Sequence, residues 1–145
     1  MANENLWSRL VVPEDETSPK SILEKIGKDL TEQTKGILRG KTDTGTYTEI
    51  YDEKIKELAP KTQMKEMMIC RLNIYAPYLN NYNLQFLTVR YSLFEFYPVK
   101  LEDMFSQQIY KLKNKQEYEE KLKEIIQSDI VTQVTSNLLI QSMNK

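Results

Sequence analysis

No histidine occurs anywhere in this chain of 145 residues. Its absence removes the commonest general base near neutral pH and the commonest metal ligand together. Ser-His-Asp and Cys-His nucleophilic arrangements and histidine-based zinc sites are therefore excluded. Cys70 is the single cysteine, so one chain cannot build an internal disulfide, a thiolate zinc site or an iron–sulfur cluster. A lone thiol inside an apolar stretch reads as a small buried hydrophobe and fits a reducing compartment. No cofactor or metal is implied, and the chain reads as non-enzymatic.

Long apolar runs are missing too. No segment approaches the roughly 20 apolar residues of a membrane span. The N-terminal MANENLWSRLVVPEDET is too short in its apolar run, and too charged, for a signal-peptide core. The expectation is a cytoplasmic protein with no membrane partner. Neither sign of charge dominates: 20 Lys and Arg face 21 Asp and Glu. No general field draws such a chain onto nucleic acid or anionic lipid, so a polyanion site would have to be local.

What the chain does have is 40% apolar and 28% charged residues, an ordinary balance for a folded domain. A single domain of this size removes roughly 70% of its extended-chain surface from water. One domain is predicted over residues 1–145, with 1–17 as a partly extended lead-in in which Trp7 docks on its own domain.

A helix is predicted from Ser18 as N-cap with Pro19 at N1. Ile22, Leu23, Ile26 and Leu30 form its inner stripe and Gly36 its C′ residue, while Gly27 at mid-helix marks close packing against another element. Asp43-Thr44-Gly45 lies between β-branched and aromatic residues and predicts a hairpin turn. Lys54 to Lys61 reads as a helical turn or a loop. Met68, Cys70, Leu72 and Ile74 alternate with Arg71 and Asn73, giving a strand with one apolar face. Ala76-Pro77 ends it, and Asn80-Asn81 suits left-handed backbone.

Leu84 to Tyr91 is apolar at both parities, with Leu84 and Phe86 set against Leu87, Val89 and Tyr91, which predicts a central strand covered on both faces. A turn is favoured over a bulge at Arg90–Leu93, and Pro98 is placed at an edge or strand end. Asp103 to Leu112 is read as a short helix or turn. Asn114 with Glu117 forms a capping-box variant before a helix with Tyr118, Leu122, Ile125 and Ile126 inside. Ser128 or Asp129 caps a last helix with Ile130, Val131, Val134, Leu138 and Ile140 inward. The fold class is α+β: an N-terminal helix, a mainly antiparallel sheet of four to five strands, and two C-terminal helices on one face.

The motifs that carry chemistry are sparse. Asp52 with Glu53, and Glu102 with Asp103, are strand neighbours that point to opposite faces, so neither pair makes a site. Gly36-Ile37-Leu38-Arg39-Gly40-Lys41-Thr42 echoes a phosphate loop but is one residue short, with a helix before it and a β-like segment after it. The lysines at 111, 113, 115, 121 and 123 interleave with glutamates as a solvated face.

Tyr75, Tyr78, Tyr82, Tyr91 and Tyr97 with Arg71 and Arg90 could stack bases, although core packing or a protein interface accounts for them without a basic field. The turn APYLNNY, with Tyr75, Tyr78, Asn80, Asn81 and Tyr82, is the local candidate for recognition, pairing aromatic contact area with adaptable amides. The reading is a non-enzymatic interaction module: an adaptor, inhibitor or small subunit binding a protein partner or a second copy. Single-stranded nucleic-acid binding is the alternative.

Overall fold

The computed structural model describes residues 6–10, 18–50 and 64–144. Their element order is α1 (Pro19–Gln33), β1 (Arg39–Ile50), β2 (Met64–Ala76), β3 (Tyr82–Ser92), β4 (Glu95–Asp103), β5 (Gln108–Leu112), α2 (Lys115–Ile126) and α3 (Asp129–Met143). The strands form one antiparallel meander in the order β1-β2-β3-β4-β5, and the three described helices pack on the same side of it. The α+β architecture with five strands agrees with the sequence reading. Lys54 to Lys61, the Asp52–Glu53 pair and most of the lead-in lie outside the described residues.

α1 starts as its sequence dictates, with the Ser18 hydroxyl accepting the Ser21 N–H at 3.1 Å. Its end differs by one residue from expectation. Thr34 is the C-cap, and Lys35 at C′ takes the left-handed conformation (φ 53°) ahead of Gly36 (φ 82°). The Gly36 N–H then reaches back to the Thr31 carbonyl at 2.8 Å, closing the helix with a six-residue return.

The hairpin expected at Asp43-Thr44-Gly45 does not form. β1 runs through it unbroken, each residue paired with β2 from Arg39↔Tyr75 to Ile50↔Met64. Gly45 does not take positive φ, and the Asp43 carboxylate, a turn former when free, accepts bonds from Arg71 (3.1 Å) and Asn73 (3.0 Å) on the neighbouring strand. Twelve residues of pairing outweigh one local turn signal.

A register shift between Leu72 and Asn73 explains the doubly apolar strand. Leu72 pairs with Leu87 and Asn73 with Gln85, leaving Phe86 as an extra residue. The bulge turns Phe86 and Leu87 to the same side, so Leu84, Phe86, Leu87, Val89 and Tyr91 all face the helices. β3 is central, but its other side carries Thr88 and Arg90, and among the described residues no helix covers it. The turn between β3 and β4 falls at Leu93–Phe94, with a register shift beside it after Tyr91. Pro98 sits in the unpaired residues of that irregularity, neither at an edge nor at a strand end; a ladder that is already broken loses nothing to its missing N–H.

Asp103 to Leu112 is no helix. β4 extends to Asp103, whose carboxylate caps the return by accepting the Phe105 N–H and the Ser106 hydroxyl, each at 2.9 Å. β5 then adds the fifth strand. In α2, Asn114 accepts the Glu117 N–H at 2.9 Å, while the Glu117 carboxylate reaches one residue further back, to the Lys113 N–H.

α3 keeps Val131 and Leu138 of the expected stripe against the core but not Ile130 and Ile140. Val131 and Ser142 are buried, whereas Ile130 and Ile140 are 51% and 53% exposed. Trp7, 72% exposed, does not bury itself as expected.

The core lies between sheet and helices, with Leu23, Cys70, Leu72, Leu87, Leu101 and Tyr118 at its centre. Its tightest point is the crossing of α1 over β1. A Cβ on Gly27 would lie 2.9 Å from the Gly40 carbonyl oxygen and from Leu72 Cδ1, and one on Gly40 would land on the Gly27 backbone. The Gly40 N–H donates to the Thr31 hydroxyl at 3.0 Å, and that hydroxyl bonds the Gly27 carbonyl at 3.1 Å.

Gly27→Ala should therefore lose about 1–3 kcal/mol in urea unfolding through overpacking, although alanine gains up to about 1 kcal/mol in an open helix. Gly45→Ala, whose Cβ would meet Ile69 at an ordinary 3.6 Å, should change stability by less than about 0.5 kcal/mol. Equal effects at the two positions would contradict the close crossing.

Candidate functional site

The turn singled out from sequence joins β2 to β3. Its backbone is shaped by Asn80 (φ 57°) and Asn81 (φ 55°) in left-handed conformation and closed by bonds from Leu79 N–H to Ala76 O (3.0 Å) and from Tyr82 N–H to Leu79 O (3.2 Å). Leu79 tucks against the core. Tyr78 and Tyr82 are about half exposed. Tyr75, across from Arg39, lies on the sheet face away from the helices and carries the Lys41 ammonium 5.5 Å from its ring centre. Tyr82, paired with Ala76, belongs to the helix side. The five residues share one end of the molecule without sharing one surface.

The tyrosines proposed as a stacking platform are likewise divided. Tyr91 is buried beneath the helices, and Tyr97 meets the Tyr118 ring edge-on at 6.1 Å. Tyr118 is fully buried, its hydroxyl donating to the Pro19 carbonyl at 2.9 Å and tying α2 to the start of α1. Burial pushes the phenols of Tyr91 and Tyr97 up to about 12 and that of Tyr118 well above its ordinary value, and it raises the Cys70 thiol to about 12. All four stay neutral near pH 7 and serve as packing groups.

A groove of about 1170 Å³ lies on the helix side of the sheet. Its floor is Leu72, Ile74 and Phe86 from β2 and β3; α1 contributes Ile26 and Leu30, α2 contributes Leu122 and Ile126, and α3 contributes Val131 with Thr132, Thr135 and Ser136. The bulge in β3 makes this floor by bringing Phe86 to the same side as Leu87. Small-molecule pockets span about 300–1,000 Å³ and converge a few polar groups on one point. This groove is larger, and the charges on its margin include the Lys25–Asp29 pair, an i,i+4 contact within α1 at 3.4 Å.

Sequence patterning missed the groove because its residues come from five elements. One signal was present: α3, DIVTQVTSNLLIQSM, holds a single charged residue, Asp129.

Among the described residues no three His, Cys, Asp or Glu side chains cluster as metal ligands. Glu102 pairs with Arg90 at 3.3 Å, on the opposite face from Asp103. Comparison with protein-family models, with curated proteins and with solved structures returned no match.

The buried acids make two measurable claims. Cys70 should resist thiol-specific alkylation at pH 8 in the native protein and react on unfolding, because only the thiolate attacks; rapid native labelling would contradict its burial. The raised phenol pKa values mean that the native state keeps protons that the unfolded chain releases above about pH 10. Stability from these groups is therefore full below about pH 10 and declines as the pH climbs toward about 12. The tyrosinate absorbance contributed by Tyr118, read as the difference between the wild type and Tyr118→Phe, should rise in step with loss of the near-ultraviolet dichroism rather than before it.

Proposed function

We propose that this chain is a non-enzymatic interaction protein, a small subunit that assembles through α3 and the groove beside it. The observation that carries this reading is a 15-residue helix with one charged residue, whose Ile130, Ile140 and Met143 are 51%, 53% and 64% exposed. Interface centres are depleted in charge, and a helix with apolar residues outside its buried stripe has burial left to gain. The neighbouring α2 is rich in Lys and Glu, and the helix with one charge stands apart from it.

The occupant proposed is α3 of a second copy. Ile130 lies near one end of the helix and Ile140 and Met143 near the other, with Gln133, Ser136 and Asn137 between. Two such helices crossing antiparallel about a two-fold axis set the apolar end of each against that of the other. The polar uncharged side chains then meet in the middle, and no like charges are opposed. Two-fold dimers are the commonest closed assembly, and the apolar groove floor extends the buried area beyond the single helix.

Light scattering on a size-exclusion column should give a dimer mass for the wild type in the micromolar range. Ile130→Glu combined with Ile140→Glu should give a monomer with unchanged far-ultraviolet dichroism, since both side chains are exposed. A wild type that is monomeric throughout that range would overturn the proposal.

A further inference from the structure

The near balance of acidic and basic residues in the whole chain hides an uneven distribution over the sheet. Strand register assigns each side chain to a face. On the face away from the helices, Asp43 is taken by Arg71 at 3.1 Å, Glu102 by Arg90 at 3.3 Å, and Glu49 lies directly across from Lys65. Among the described strand residues, Arg39, Lys41, Lys100 and Lys111 then remain against Glu95 alone.

The arrangement within the face is more telling than its total. Arg90 pairs in register with Lys100, and Lys100 with Lys111, so three cations lie directly opposite one another across β3, β4 and β5. Like charges facing across a ladder are destabilising. Among the described residues, neither Lys100 nor Lys111 has an ion-pair partner that relieves the repulsion, and both are exposed. A row of this kind gains when an anion lies along it.

The rest of the face determines which anion. Beyond Arg90 the row continues through Ile69 to Gly45, which leaves a side-chain gap on β1 next to Tyr47. Tyr75 stands further along the same face under Lys41. Asn83 and Gln85, both exposed, supply amide groups on β3. Cations that track a backbone, aromatic rings on which bases stack, and adaptable hydrogen-bonding groups are what a single nucleic-acid strand requires. A lipid surface would instead favour several apolar side chains that insert, whereas Ile109 is the one strongly exposed apolar residue that strand pairing places on this face among the described residues.

We infer that the sheet face away from the described helices binds single-stranded nucleic acid, with Lys100 and Lys111 holding phosphates and Tyr75 available for stacking. The site is separate from α3 and its groove, so it stands or falls independently of self-assembly.

The test is fluorescence anisotropy of the full chain with a labelled oligo(U) and oligo(dT) at about 50 and about 200 mM salt. Binding should weaken steeply between the two conditions. Lys100→Ala with Lys111→Ala should lower the slope of log affinity against log salt by about 0.7 for each cation removed, with thermal stability unchanged or raised as the like-charge opposition is relieved. Lys25→Ala with Lys28→Ala on α1 removes the same charge from the other side and should leave binding within twofold. Tyr75→Ala should weaken binding by about tenfold, while Tyr75→Phe should not.

Failure to bind at about 50 mM salt would overturn the inference. So would equal losses from the α1 variant, or inorganic polyphosphate or phosphatidylserine vesicles binding as tightly with no response to Tyr75→Ala.

Discussion

The backbone contact between Gly27 and Gly40 is the constraint on which the other packing relations depend. Two glycines let a helix lie directly on a strand, closer than any side chain would permit. That approach lets the Thr31 hydroxyl serve both elements, accepting from the Gly40 N–H and bonding the Gly27 carbonyl. It also fixes how far α1 stands above Leu72, and so the depth of the core. Thr34 repeats the device one turn later, its hydroxyl accepting the Leu38 N–H at 3.1 Å. The N-terminal end is held by a different bond, from Tyr118 to the Pro19 carbonyl, between residues 99 apart in sequence.

Much of this fold is written in local chemistry. Ser18-Pro19, Asn80-Asn81 and Asn114 with Glu117 act within a few residues of themselves, and each does in the structure what its side chain favours alone. The glycine at 27 could be read as a mark of close packing, though its partner could not be identified. Misreadings arose where pairing across strands overrode a local preference. Asp43 has turn chemistry, but its carboxylate is engaged by Arg71 and Asn73. Asp103 to Leu112 lacks clean alternation because Asp103 is spent on capping a return. The doubly apolar β3 needed a bulge to make sense, and a bulge is set by the register of two strands rather than by either one.

The candidate surfaces were legible in unequal measure. The turn between β2 and β3 was located correctly as an exposed, left-handed return, yet the tyrosines around it divide between faces, a division fixed by pairing parity in two different strands. The α3 surface had a sequence signal in its lack of charge, obscured by assigning Ile130 and Ile140 to the buried stripe. Helical periodicity alone allows that stripe to rotate, and only the contacts of Val131 and Ser142 settle its direction. Charge on the sheet was obscured for another reason: a chain-wide sum of nearly zero contains no information about sidedness.

The groove has walls of unequal stiffness. α1 is anchored at its start by Tyr118, at its middle by the glycine contact and at its end by Thr34. α3 buries only Val131 and Ser142 among its own residues. The two sides are therefore held differently, α1 by hydrogen bonds and a backbone contact along its length and α3 by these side chains and the partly buried Leu138 and Leu139. Were the groove the contact proposed above, α1 would keep register along it and the less firmly anchored α3 would set the tolerance for shape.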